Sequence, residues 1–122
     1  MAIEESPGRG RGVFARGEFK RGDLIERVPV ILVPAKQRQK LDETDLYNYA
    51  FEWEEVGGTI AIALGYGSLY NHSYRPNAAY NEHPREEVMD FYAIKTIRLG
   101  QEITVNYNGE PDDQEPLWFD VV

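Results

Sequence analysis

The sequence predicts a mainly β fold in a single domain spanning residues 1–122. Eleven glycines and seven prolines fall at intervals that cut the chain into short apolar segments, the rhythm of strands joined by turns. Two of those segments, Leu24 to Val33 and Thr59 to Leu64, are runs dominated by Ile, Val and Ala. At 122 residues there is material for one core and not two, and no internal repeat or low-complexity tract divides it.

Each element follows from local chemistry. Val13-Phe14-Ala15 follows a glycine-rich opening and reads as a strand. Phe19 to Asp23 is a turn by composition, with Gly22 suited to a positive φ. Leu24 to Val33 is a long strand in which Pro29 predicts an edge position or a bulge, because proline cannot donate to a ladder. Pro34 suits the first position of a short helix through Lys40, and the polar stretch Leu41 to Asn48 reads as irregular. From Tyr49 the period is ambiguous: Tyr49, Phe51 and Trp53 alternate as in a strand, whereas Leu46, Tyr49, Ala50 and Trp53 share a helical face. The strand is favoured, because Gly57-Gly58 and the apolar run after it form a hairpin more readily than a helix. Ala78 to Asn81, Phe91 to Ile94 and Ile103 to Tyr107 complete the strands, the last two flanking a turn at Leu99-Gly100.

Composition narrows the chemistry. The chain has no cysteine, which excludes disulfides, thiolate zinc clusters and cysteine nucleophiles. His72 and His83, eleven positions apart without a surrounding motif, are a poor metal pair, so no metal is expected. The net charge of −8 repels nucleic acid and suits a solvated surface or attraction of a basic peptide. No apolar run approaches the roughly 18 residues of a membrane helix, and residues 1–10 lack the apolar stretch of a secretory signal. The cytoplasm is the default compartment.

Three constellations carry chemistry. Gly8-Arg9-Gly10-Arg11-Gly12-Val13-Phe14 lets backbone approach a ligand closely. A dinucleotide-binding motif would open a helix, whereas the residues that follow read as a strand, so that reading is discounted. Gly65 to Asn77 gathers polar groups, Asn71 and His72 among them, directly after an apolar run; they serve either their own backbone or a polar ligand. Gly100 to Tyr107 is a turn and a strand ending in Tyr107, whose phenol either caps the core or polarises a reacting group.

Together and in this order, the three resemble the SET domain family of protein-lysine methyltransferases. Gly10-Arg11-Gly12-Val13-Phe14 is similar to the family's glycine-rich cofactor motif. Asn71-His72-Ser73 with Pro76-Asn77 is similar to its Asn-His-Ser core, and Glu102 to Tyr107 to its Glu-Leu-Thr-x-x-Tyr strand, with Asn106 where many members carry Asp. The resemblance implies small curved sheets with short helices and a C-terminal pseudoknot. It implies S-adenosylmethionine as cofactor, held by Arg9, Gly10, Arg11, Gly12, Asn71, His72 and Tyr107, with Tyr107 as the catalytic phenol. Tyr80 and Tyr66 would line the substrate lysine channel. Cysteine-rich flanking segments are lacking, so the acidic, aromatic segment 108–122 would close the site, with Trp118 on the adenine and Phe119 beside it. The implied partner is a lysine-containing basic protein or peptide, a histone among the candidates, with no direct nucleic acid and no membrane. A histone substrate implies the nucleus or a host nucleus. Two rival readings are a non-catalytic module that docks basic peptides and a structural module that forms a homodimer, since short family members can pair. Intact Asn71, His72 and Tyr107 argue against lost turnover.

Overall fold

The computed structural model describes residues 1–53 and 57–114. Among the described residues nine strands form two sheets. β1 (Ala2–Ser6) and β2 (Gly10–Phe14) make an antiparallel hairpin over the glycine-rich turn, so that turn joins two strands, the first of which the sequence had not declared. β3 (Leu24–Val33) leads into helix α1 (Ala35–Asp42), a 3-10 turn (Asp45–Tyr49), and the hairpin of β4 (Ala50–Glu52) and β5 (Ile60–Ala63). A second 3-10 turn (Gly67–Leu69) precedes β6 (Asn71–His72). β7 (Ala78–His83), β8 (Val88–Ala93) and β9 (Glu102–Val105) follow.

The five-stranded sheet runs β4-β5-β3-β8-β7, which corrects the expectation drawn from Pro29. β3 is central, and its one register irregularity lies between Leu24 and Glu26. The proline is tolerated because another donor serves the carbonyl its missing N–H would face. At Pro29 the β5 side of the ladder has reached its end: the Leu64 N–H donates to the Pro29 carbonyl at 3.1 Å, and the Leu64 carbonyl, which an N–H at position 29 would bond in return, accepts the Gly67 N–H at 3.0 Å instead. The stretch from Leu41 is also more regular than predicted. The helix runs through Asp42 and a 3-10 turn carries the chain to Tyr49, so the strand starts at Ala50. Gly22 takes its positive φ, +92°, at the turn before β3.

The four-stranded sheet runs β1-β2-β9-β6. β9, from late in the chain, is inserted between strands that precede it, antiparallel to β2 and parallel to β6. Its residues Ile103 and Val105 are fully buried. With Val13, Tyr70, Met89, Phe91 and Ile97 they form a core that joins the two curled sheets. Among the described residues no helix is long and apolar enough to cross a membrane.

Candidate functional site

The three motifs, far apart in sequence, converge on β9. Val13 and Phe14 of the glycine-rich strand lie opposite Ile103 and Glu102, while Asn71 and His72 lie opposite Thr104 and Val105. β6 is only two residues long, and Asn77 completes the joint with its side chain. Its Nδ2 donates to the Glu102 carbonyl at 2.8 Å and its Oδ1 accepts the Thr104 N–H at 2.9 Å. An asparagine thus supplies ladder bonds where no strand continues.

Two cavities open on this joint. One, of about 560 Å³, is walled by Arg9, Gly10, Arg11, Leu69 and Asn71. The other, of about 220 Å³, is aromatic, with Tyr47, Phe51, Tyr70 and Tyr80 in its wall and Glu52 and Glu82 among its carboxylates. Asn48, Tyr49, Ser68 and Tyr107 belong to both walls. Tyr107 therefore stands where the polar and the aromatic cavities meet.

Tyr107 is held at both ends. Its Oη–H donates to the Tyr70 carbonyl at 2.6 Å and its N–H donates to His72 Nδ1 at 2.9 Å. Burial pushes its pKa up to about 12, with Tyr49 and Glu102 adding to the effect and Arg9 opposing it. The side chain is a protonated, fixed dipole at neutral pH. For His72 to accept that N–H its ring must be neutral and carry its proton on Nε2. Burial, helped by Arg9, lowers its pKa and keeps it so. Nε2 is buried with no hydrogen-bond partner among the described residues, and the Tyr74 ring packs T-shaped on the imidazole at 4.5 Å.

The larger cavity's wall thus contains Arg9, Gly10, Arg11, Asn71 and Tyr107, and the smaller one's contains Tyr80. Gly12 and His72 lie behind the walls. Tyr66 lines neither cavity: its Oη donates to the Met1 carbonyl at 3.2 Å and its N–H to Glu26 at 3.4 Å. Trp118 and Phe119 lie outside the described residues. Asn71 offers less than expected, since its Nδ2 protons go to the Arg11 carbonyl at 2.9 Å and to Glu102 at 2.6 Å. What it can present to a ligand is Oδ1 and backbone.

Sequence reasoning missed most of the aromatic wall. Tyr47 fell in a stretch read as irregular and Phe51 in a strand, and Tyr70, which is 1% exposed, was not singled out. The density of tyrosine between Tyr47 and Trp53 was the available signal. Asn106 was noted only as a departure from Asp. It is buried, donating through Nδ2 to the Asp113 carbonyl at 2.6 Å and to that of Pro111 at 3.4 Å, while Oδ1 accepts the Asn108 N–H at 3.0 Å. An aspartate there would have no proton for the two carbonyls.

Comparison with known proteins gives a consistent answer. Residues 10–108 match the SET domain family. A fission yeast (Schizosaccharomyces pombe) histone-lysine N-methyltransferase, H3 lysine-37 specific, is 28% identical over 98% of this chain and 77% of its own length. The Xenopus laevis histone-lysine N-methyltransferase SUV39H1 is 29% identical over 88% of this chain, which spans 28% of that protein. Among solved structures, a Plasmodium falciparum protein described as a candidate histone methyltransferase superposes with a TM-score of 0.68 at 30% identity, covering 89% of this chain and 97% of that one. The Polycomb Repressive Complex 2 of Chaetomium thermophilum shares the fold, with a TM-score of 0.72 at 20% identity over 86% of this chain and 14% of that one.

Proposed function

The chain belongs to the SET domain family and is by that membership a protein-lysine methyltransferase; on this premise we propose that the polar cavity holds the cofactor and the aromatic cavity admits the substrate lysine. The observation that carries the reading is the wall the two cavities share, in which Tyr107 stands beside Asn48, Tyr49 and Ser68. Family membership implies S-adenosylmethionine. The residues present fit it: Arg9 and the Asn71 amide suit an amino-acid end bearing both charges. A side chain at Gly10, whose φ is +74°, would meet nothing within 4 Å, so a ligand has open approach to backbone there. Bound there, the cofactor supplies an electrophilic methyl on a sulfonium, and transfer to the amine breaks the S–C bond, leaves the pair on sulfur and forms N–C.

The protein's part is alignment and exclusion of water. The aromatic walls desolvate a lysine side chain and lower its pKa, which favours the neutral amine that can attack. Tyr107, its proton committed to the Tyr70 carbonyl, orients the amine and polarises the junction without acting as a base.

The substrate is a basic protein of the histone class, which places the reaction in a nucleus. A net charge of −8 and carboxylates in the channel wall favour a cationic partner, and the relatives are named for histone lysines. The test is methyl transfer from labelled S-adenosylmethionine to histones and other basic proteins, beside Tyr107→Phe and Asn71→Ala. Label on lysine that Asn71→Ala abolishes supports the assignment. No label, with no binding of S-adenosylhomocysteine by calorimetry, refutes it.

A further inference from the structure

One carboxylate behind the polar cavity takes no part in its wall yet ties that wall together. Glu102 opens β9, and its side chain is only 17% exposed. Its Oε1 accepts the Ser6 hydroxyl at 2.8 Å and faces Arg9 Nη1 at 3.5 Å, while Oε2 accepts Asn71 Nδ2 at 2.6 Å. Those donors come from the end of β1, the β1–β2 turn and β6. The second Asn71 proton carries the tie to the Arg11 carbonyl. Thus Arg9, Arg11 and Asn71 in the cavity wall are all fastened, directly or through one amide, to a single anion.

Gly12 shows how closely the carboxylate is fitted. A Cβ at that position would lie 2.3 Å from Glu102 Oε2 and 2.8 Å from Asn71 Nδ2, so close that the carboxylate and the amide would have to move. The glycine at 10 faces open space, whereas the glycine at 12 makes room for Glu102. The two motif glycines serve different ends, one the ligand and the other the clamp.

We propose that Glu102 is the positioning residue of the cofactor cavity: its carboxylate sets the placement of Arg9, Arg11 and Asn71, and through them cofactor affinity, without touching cofactor or substrate. This rests on the assignment of the polar cavity above. Charge-assisted bonds to one anion hold three separated segments in register, and a neutral group of the same shape holds them less well. Gln in its place keeps an acceptor for one donor, loses the charge facing Arg9, and turns an NH2 toward another donor.

The experiment is calorimetric titration of the full chain with S-adenosylhomocysteine, with steady-state kinetics and thermal unfolding, for wild type, Glu102→Gln, Glu102→Asp, Gly12→Ala and the Gly12→Ala/Glu102→Asp double variant. Glu102→Gln is expected to raise the S-adenosylhomocysteine Kd and the KM for S-adenosylmethionine about tenfold or more, with kcat and peptide KM within about twofold and Tm nearly unchanged. Gly12→Ala is expected to weaken binding by at least that factor in the wild-type background. It should weaken binding less than about threefold further in the Glu102→Asp background, where the shorter carboxylate vacates the space the methyl needs. Equal affinity in wild type and Glu102→Gln would overturn the proposal. So would parallel losses in Tm, kcat and both KM values, or additive effects of the two substitutions. Failure of wild type itself to bind S-adenosylhomocysteine would instead overturn the assignment of the cavity.

Discussion

The two cavities that meet at Tyr107 are built in opposite ways. The polar one is walled largely by the β1–β2 turn and Asn71, and its geometry is held by hydrogen bonds to Glu102. The aromatic one is assembled from the Asp45–Tyr49 turn, β4, Tyr70, β7 and the residues after β9, and its geometry is held by packing. Phe51 lies in its wall, edge-on to Tyr80 at 5.0 Å and to Phe91 at 6.1 Å. A ligand with fixed charges and hydrogen-bonding groups is read by groups locked through charge. A long aliphatic amine is read by shape, and the groups that shape its channel also belong to the hydrophobic core.

Removing the packing should therefore do the greatest damage. Phe51→Ala is expected to cost about 3–5 kcal/mol in chemical denaturation, because its ring contacts both the channel and the buried Phe91. A loss below about 1 kcal/mol would show that the channel wall is separable from the core. Tyr107→Phe probes the seam. It is expected to lower transfer about 100-fold while leaving S-adenosylhomocysteine affinity within about threefold, since it deletes one preorganised dipole and no packing. A matching loss of cofactor affinity would place Tyr107 on the polar side alone.

His72 gives the seam a pH dependence. Its folded pKa is depressed, so its contribution to stability is complete above the unfolded value of about 6.5 and is lost as pH falls through the lower folded value. Protonation puts an N–H where Tyr107 needs an acceptor. Denaturation midpoints between pH 7.5 and 5 should fall in wild type and fall less in His72→Gln; parallel curves would separate His72 from Tyr107. The smallest effect belongs to a pair outside both cavities. Arg27 holds Asp90 in a bidentate pair at 2.6 and 2.8 Å, keeping that carboxyl below its usual range, but the guanidinium is exposed. Arg27→Gln is expected to shift Tm by no more than about 3 °C and to leave transfer unchanged.

Much of the polar cavity was legible in the sequence because its parts are short local motifs with distinctive residues. Glycines at a turn, Asn71-His72 and a strand ending in Tyr107 could each be quoted without knowing where the others lay. The aromatic cavity was not legible in the same way. Tyr47, Phe51 and Tyr70 belong to no motif, and only their meeting across distant segments makes them a wall. Pro29 misled for a related reason: a proline in a strand argues for an edge, but here the Leu64 carbonyl it would have bonded accepts the Gly67 N–H instead, and that exchange of donors leaves no local trace.

By itself the sequence determined the mainly β class, the hairpin at Gly57-Gly58, the length of β3 and the family to which the chain belongs. Those depend on composition, turn chemistry and residue order, all of which act over a few positions. The tertiary structure alone decided that β9 lies between β2 and β6, that Gly12 leaves room for Glu102, and that two cavities share Tyr49 and Tyr107 in their walls. Each of these is a pairing between segments far apart in the chain. Such pairings are chosen by whichever arrangement buries the most apolar surface with every buried polar group matched, a condition no local pattern states.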